Sequence, residues 1–154
     1  MHFTNDPAPA PDQRSEPASF TLPVRVYYED TDAGGVVYYA NYLKFFERAR
    51  TEWLRALGFS QERLRTDTGV LFVVADTALR YASPARLDDL IEVSVEPRDI
   101  GRATMSLHQQ AWRTGHTEHG GPLLLAEGHI RIGCVDAGTF APRRIPTAIL
   151  EALK

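Results

Sequence analysis

The stretch Glu29-Asp30-Thr31-Asp32-Ala33-Gly34-Gly35 holds two aspartates one residue apart, followed by a pair of glycines. An aspartate in such a loop can act as a nucleophile, or as the general base that activates a water. The glycines mark backbone that needs unusual angles or lies close to a ligand. A helical period starts a few residues later, near Tyr39. Peptide N–H groups at a helix start have no intrahelical partner and carry partial positive charge. They can polarise a carbonyl and stabilise an oxyanion. Asp32 upstream of an N–H at Tyr39 therefore supplies the two elements that acyl transfer needs. The same spacing also suits an aspartate that only forms a turn or a cap.

Other groups that could do chemistry are fewer. Glu47 is a second carboxylate on the predicted helix, where a pairing with Arg50 or Lys44 accounts for it. His116 and His119 stand in a glycine-rich stretch, without the further ligands a metal site requires. His129 alternates with Ile130 on a strand and reads as structural. Cys134 is the only cysteine. It lies in an apolar run and reads as a small core residue, and a lone thiol cannot close an internal disulfide. No metal site and no resident cofactor are expected.

These residues need a scaffold. Residues 1–19 are punctuated by Pro7, Pro9, Pro11 and Pro17 and read as a disordered tail, so the folded domain is expected to span 20–154. Phe20 to Tyr28 alternates as a strand. Tyr42, Phe45, Phe46, Ala49, Trp53 and Ala56 share one face of a helix running from about Tyr39 to Leu57. Arg48 and Glu52 are spaced for an i, i+4 pair. Gly58 stops the helix and Phe59 folds back on it. Ser60 caps a short second helix that ends before Gly69. Strands follow at Val70–Tyr81, Leu90–Glu96, Ala103–Trp112 and Leu123–Asp136. Pro146 opens a short terminal helix. One aromatic-faced helix and a run of consecutive strands give an α+β architecture, with the helix inside a curved antiparallel sheet.

Composition bounds the partners. The chain has 154 residues, 44% hydrophobic and 24% charged, with a formal net charge of −3. That balance gives no electrostatic footprint for nucleic acid. No apolar run approaches the roughly 20 residues of a membrane-spanning helix, so no transmembrane segment is expected. The first residues lack the pattern of a secretory signal, and a cytoplasmic location is expected.

The run Tyr27-Tyr28-Glu29-Asp30-Thr31-Asp32-Ala33-Gly34-Gly35-Val36-Val37-Tyr38 resembles the signature of the 4-hydroxybenzoyl-CoA thioesterase family. Within it the likeness is to the branch associated with the bacterial Tol–Pal system. Asn41-Tyr42-Leu43, Glu47 to Glu52, Tyr81 to Asp89 and Cys134-Val135-Asp136 extend the resemblance over about residues 23–150. It implies a hotdog fold, a long central helix wrapped by a curved antiparallel sheet. It also implies a homodimer or homotetramer with sites between subunits, a link to the Tol–Pal envelope system, and hydrolysis of a fatty or aromatic acyl-CoA. Coenzyme A is then part of the substrate.

By the same resemblance the family's catalytic aspartate falls on Asp32, and its carbonyl-polarising backbone N–H on Tyr39. The Tol–Pal branch usually has histidine at position 39, whereas the 4-hydroxybenzoyl-CoA branch has tyrosine. Tyr28 matches a tyrosine proposed to assist, although a strand aromatic is more often core. Gly34, Gly35 and Val37 complete the expected substrate-binding loop. Arg86, Arg102 and Arg113 are available for the phosphates of CoA, Arg86 and Arg102 being the two placed in the site. Three other readings exist. A hydratase would need a histidine near Asp32, and none is there. A non-catalytic acyl-thioester binder would leave the Asp32 loop without a task. A DNA-binding regulator is suggested by a loose helix-turn-helix likeness from Trp53 to Leu64, without the basic excess it requires.

Overall fold

A computed structural model describes residues 20–114 and 122–154 of the chain. The expected tail at 1–19 and the pair His116 and His119 lie outside the described residues. In chain order the elements are β1 (Phe20–Arg25), α1 (Asn41–Ala56), α2 (Gln61–Thr68), β2 (Val70–Tyr81), β3 (Leu90–Ile100), β4 (Thr104–Thr114), β5 (Leu123–Asp136) and α3 (Thr147–Ala152). The five strands form one antiparallel sheet in the order β1-β3-β4-β5-β2. This is the expected α+β hotdog architecture, with α1 laid on the sheet's inner face.

Side-chain period decides what meets α1. Tyr42, Phe45, Phe46, Ala49 and Trp53 recur at helical spacing and are all buried. Against them stand Ile91, Val93 and Val95 of β3, Leu107 and Ala111 of β4, and Ala126 and Ile130 of β5, which alternate inward. Burying Phe45 and Phe46 stabilises by roughly 1.5–3 kcal/mol each. Gly128 is required for the close approach. A Cβ there would lie 2.7 Å from Leu79 Cδ2 and 3.0 Å from Phe46 Cε2.

The helix ends follow their chemistry. Gly58, at φ 101, closes α1, and the Phe59 N–H returns to Leu54 O at 2.9 Å. Ser60 Oγ accepts from the Arg63 N–H, and Gly69 ends α2 at φ 75. Expectation and structure differ in several places. The first strand stops at Arg25, because Asp30 takes the Tyr27 N–H and turns Tyr28–Asp30 into a 3-10 turn. The long helix begins at Asn41, so Tyr39 sits in the turn before it. Glu52 pairs with Arg55 rather than Arg48. Arg50 turns inward and donates to Gln109 Oε1 at 2.9 Å, with the Glu47 charge still acting on it. Burial holds its guanidinium below the usual arginine range. Trp53 and Leu64 are buried and tie α1 and α2 into the core.

Candidate active site

The loop after β1 folds back on itself as a tight hairpin. Thr31 bridges Val37, the Asp32 N–H donates to Val36 O at 2.9 Å, and the Tyr38 N–H donates to Asp30 O at 3.0 Å. Val36 also bridges Arg86, and the Val37 N–H donates to Ala85 O at 2.8 Å. The hairpin is thereby pinned to the segment between β2 and β3.

Within it the two aspartates do different work. Asp30 has both oxygens engaged. Oδ2 accepts the Tyr27 N–H at 2.8 Å, and Oδ1 accepts Asn41 Nδ2 at 2.9 Å. Since Asn41 is the first residue of α1, Asp30 ties the hairpin to the helix start. Asp32 has one oxygen engaged. Its Oδ1 accepts the Gly34 N–H at 2.8 Å and faces the Val36 N–H at 3.4 Å. Its Oδ2 has no hydrogen-bond partner among the described residues. Gly34 leaves room for this turn, since a Cβ there would stand 3.2 Å from Asp32 Oδ1. Gly35 is needed for its angle, φ 80.

Asp32 is exposed and lines a cleft of about 450 Å³ with Tyr28, Thr31, Ala33, Gly35 and Leu87. Tyr28 is therefore not a core aromatic. It is 83% exposed and forms part of the cleft wall. Val37, placed by the sequence in the binding loop, is 2% exposed and belongs to the core.

The helix start lies just beyond. Ala40 offers no side-chain cap to α1, and its first turn holds no acidic residue. The Tyr39 N–H has no partner among the described residues. Its carbonyl is held from the other side by the Tyr81 hydroxyl at 3.0 Å. The Tyr39 ring packs edge-on against Tyr38 and Tyr81, with centroids 4.9 and 6.2 Å away. Tyr42, beneath, is buried, and burial pushes its phenol far above the ordinary value.

The arginines separate. Arg86 is exposed beside the hairpin, its N–H donating to Asp89 Oδ2 at 2.9 Å. Arg113 stands at the same end of the sheet, opposite Ile91. Arg102 lies in the β3–β4 turn, at the other end of strands roughly 30 Å long. One chain does not bring it to Asp32.

The pattern that defines the Thioesterase-like superfamily matches residues 26–153. The chain is 44% identical over 133 residues to the acyl-CoA thioesterase YbgC of Haemophilus influenzae, covering 86% of this chain and 93% of that one. The chain belongs to the thioesterase-like superfamily. The acyl-CoA thioester hydrolase YbgC of Escherichia coli O6:H1 is 43% identical over 135 residues, with 88% and 96% covered. Among solved structures, a probable thioesterase from Bartonella henselae is 32% identical with TM-score 0.72, covering 82% of this chain and 98% of that one. A 4-hydroxybenzoyl-CoA thioesterase mutant complexed with 4-hydroxybenzoyl-CoA shares the fold at TM-score 0.79 and 17% identity, with 88% and 98% covered. In this thioesterase-family chain, sequence reasoning missed Asp30, Asn41, Leu87 and Tyr81. Asp30 and Asn41 carried a signal, since a second acid and an amide flank the loop, but only the hairpin shows them bonded.

Proposed function

We propose that Asp32 is the catalytic carboxylate of the acyl-CoA thioester hydrolysis this chain performs, with the Tyr39 N–H polarising the carbonyl. One observation carries the reading. A carboxylate with one oxygen held by backbone N–H groups and the other unbonded lines a cleft, and an N–H without a partner among the described residues lies in the turn before the central helix.

The thioester oxygen accepts from the Tyr39 N–H, which stabilises the developing oxyanion. Asp32 takes a proton from a water as that water attacks the carbonyl carbon. The C–S bond then breaks, CoA leaves as the thiol with that proton, and the free acid departs. In the nucleophilic variant Asp32 attacks the carbonyl carbon, the C–S bond breaks and CoA leaves as thiolate to be protonated by solvent, and water then cleaves the resulting anhydride to the free acid and the Asp32 carboxylate. After a single turnover in heavy-oxygen water, label in Asp32 establishes the second route, with water attacking the aspartyl carbonyl of the anhydride. Asp32→Asn should lower kcat by about 10²–10⁴-fold with an unchanged melting curve. Near-normal turnover in that variant removes Asp32 from the mechanism.

The reading extends to an assembly. Among the described residues β2 is bonded only to β5, so its other side lies at the margin of the sheet, a template for backbone pairing with a second copy. Such a pairing supports a homodimer or homotetramer, with the site completed across subunits. Arg86 and Arg113 then serve CoA phosphates from the Asp32 end, and Arg102 only from another copy. Among the described residues no helix is long and apolar enough to cross a membrane. We take the cytoplasm as the location and the Tol–Pal system as the setting on the strength of the loop signature, Tyr27 to Tyr38. Co-purification of Tol–Pal components with the chain tests the second point.

A further inference from the structure

The outer face of the sheet, away from α1, carries a second cluster. His108 of β4 and His129 of β5 are direct cross-strand partners, so both imidazoles project from one face. Glu127 stands two residues before His129 on that face. Its Oε1 lies 3.6 Å from His108 Nε2 and 3.7 Å from His129 Nε2. The rings stack with centroids 5.0 Å apart. We propose that His108, Glu127 and His129 form a binding site for a divalent transition-metal ion of the zinc type, separate from the Asp32 cleft.

The distances argue for it. Hydrogen bonds between such groups run at about 2.7–3.2 Å, so one carboxylate oxygen set at 3.6 and 3.7 Å from two imidazole nitrogens bonds neither. A tetrahedral ion with bonds of about 2.0–2.2 Å places its ligand atoms roughly 3.4 Å apart. The two Glu127 contacts are already near that edge length. The three ligand atoms all lie within 4.8 Å of one another, and the His129 side chain, 68% exposed, is free to swing and close the third edge.

A supporting shell is built in. Trp112 Nε1 donates to Gln110 Oε1 at 3.2 Å, and Gln110 Nε2 donates to Glu127 Oε2 at 3.1 Å. That chain occupies Oε2 and leaves Oε1 facing the imidazoles. Glu96 Oε2 sits 3.7 Å from His108 Nδ1, outside hydrogen-bond range, and a small side-chain shift would let it receive that N–H and orient the ring, as carboxylates behind metal-bound histidines do. Arg98, 3.4 Å from both groups, keeps its contact with Glu96 in that arrangement. An open cavity of about 800 Å³ over this face gives access. Its carboxylates Asp76, Asp99 and Glu127 nearly balance Arg98 and Arg131. The field alone therefore does not select a cation. Two imidazoles do, and they favour zinc-type ions over magnesium or calcium, which require oxygen ligands.

The test uses the untagged full chain, stripped with a chelator and titrated calorimetrically with zinc chloride, with cobalt(II) absorption as a second readout of coordination. One zinc per chain is expected. His129→Ala and Glu127→Gln should each weaken it by about tenfold or more, with folding checked by circular dichroism. The double variant His116→Ala/His119→Ala and Asp32→Asn should bind as the parent does. No uptake by the parent overturns the proposal, as do parental affinity in His129→Ala or loss of uptake in the double variant. None of these outcomes depends on thioesterase turnover, so the Asp32 reading stands or falls separately.

Discussion

At the scale of residues, the two aspartates of one short motif show how hydrogen bonding assigns roles. Asp30 spends both oxygens on the Tyr27 N–H and on Asn41, so it holds the hairpin to the helix start. Asp32 keeps an oxygen unbonded beside the cleft. Hydrogen bonds to a charged group contribute about 1.5–3 kcal/mol each, and partial exposure trims that here. Asp30→Ala should therefore cost about 2 kcal/mol of stability in urea unfolding. It should also lower kcat by about tenfold as the hairpin loosens, well short of the Asp32→Asn loss. Asp30→Asn, which still accepts one of the bonds, should recover part of both. An Asp30→Ala variant with parental stability and the turnover of Asp32→Asn would mean that the two roles have been exchanged.

At the scale of elements, the end of β5 shows a carboxylate closing a turn. Asp136 Oδ1 accepts the N–H groups of Gly138 and Thr139 at 2.9 and 3.0 Å, and Oδ2 accepts Arg143 Nη1 at 2.7 Å. Arg143 also reaches Thr68 O at the end of α2, so this cluster joins helix, strand and turn. The bonds from Thr139, Gly138 and Arg143 hold the carboxyl below its ordinary value of 3.8. A carboxyl depressed in the folded state adds stability that is full above that ordinary value and is lost as the pH falls through the folded one. Asp136→Asn should melt lower than the parent at neutral pH, and the gap should close in acid below pH 3.8. A gap independent of pH would show that the charge contributes nothing. Elements of this kind were legible in the sequence wherever period and punctuation agreed. Gly58, Ser60 and Gly69 mark their helix ends, and the alternation Ile91, Val93, Val95 marks an inward strand face. What escaped was set by contacts distant in sequence. Tyr28 follows an alternating strand pattern, and only the Asp30 bond to the Tyr27 N–H turns it out to the cleft. Arg50 has the spacing of a surface helix cation, and only the buried Gln109, fifty-nine positions away, draws it inward. His129 alternates as a structural residue should, and only the β4–β5 register sets His108 across from it.

At the scale of the whole molecule, β2 is the least finished part. Its outer edge has no neighbour among the described strands, and Val74 to Ala78 are exposed in a stretch whose only charge is Asp76. Natural edge strands are usually blunted by charge, proline, a bulge or short length; β2 has Asp76 and a register shift beside it, but no lysine or proline over twelve residues, which leaves it able to pair with a second copy. Pairing β2 with itself is self-complementary about a two-fold axis, the commonest symmetry for such contacts. It would also cover Val74, which is 51% exposed. The same strand ends at Tyr81, whose hydroxyl holds the carbonyl of Tyr39. Assembly along this edge therefore bears on Tyr39, whose N–H is the proposed partner of the thioester oxygen. Val74→Lys sets a charge in the middle of the edge. In sedimentation at one concentration the parent should run as a dimer or larger and the variant as a smaller species. Turnover per chain should fall in step with dissociation and recover as the protein concentration rises. A monomeric parent with full activity would place the entire site within one chain and leave this edge without a catalytic consequence.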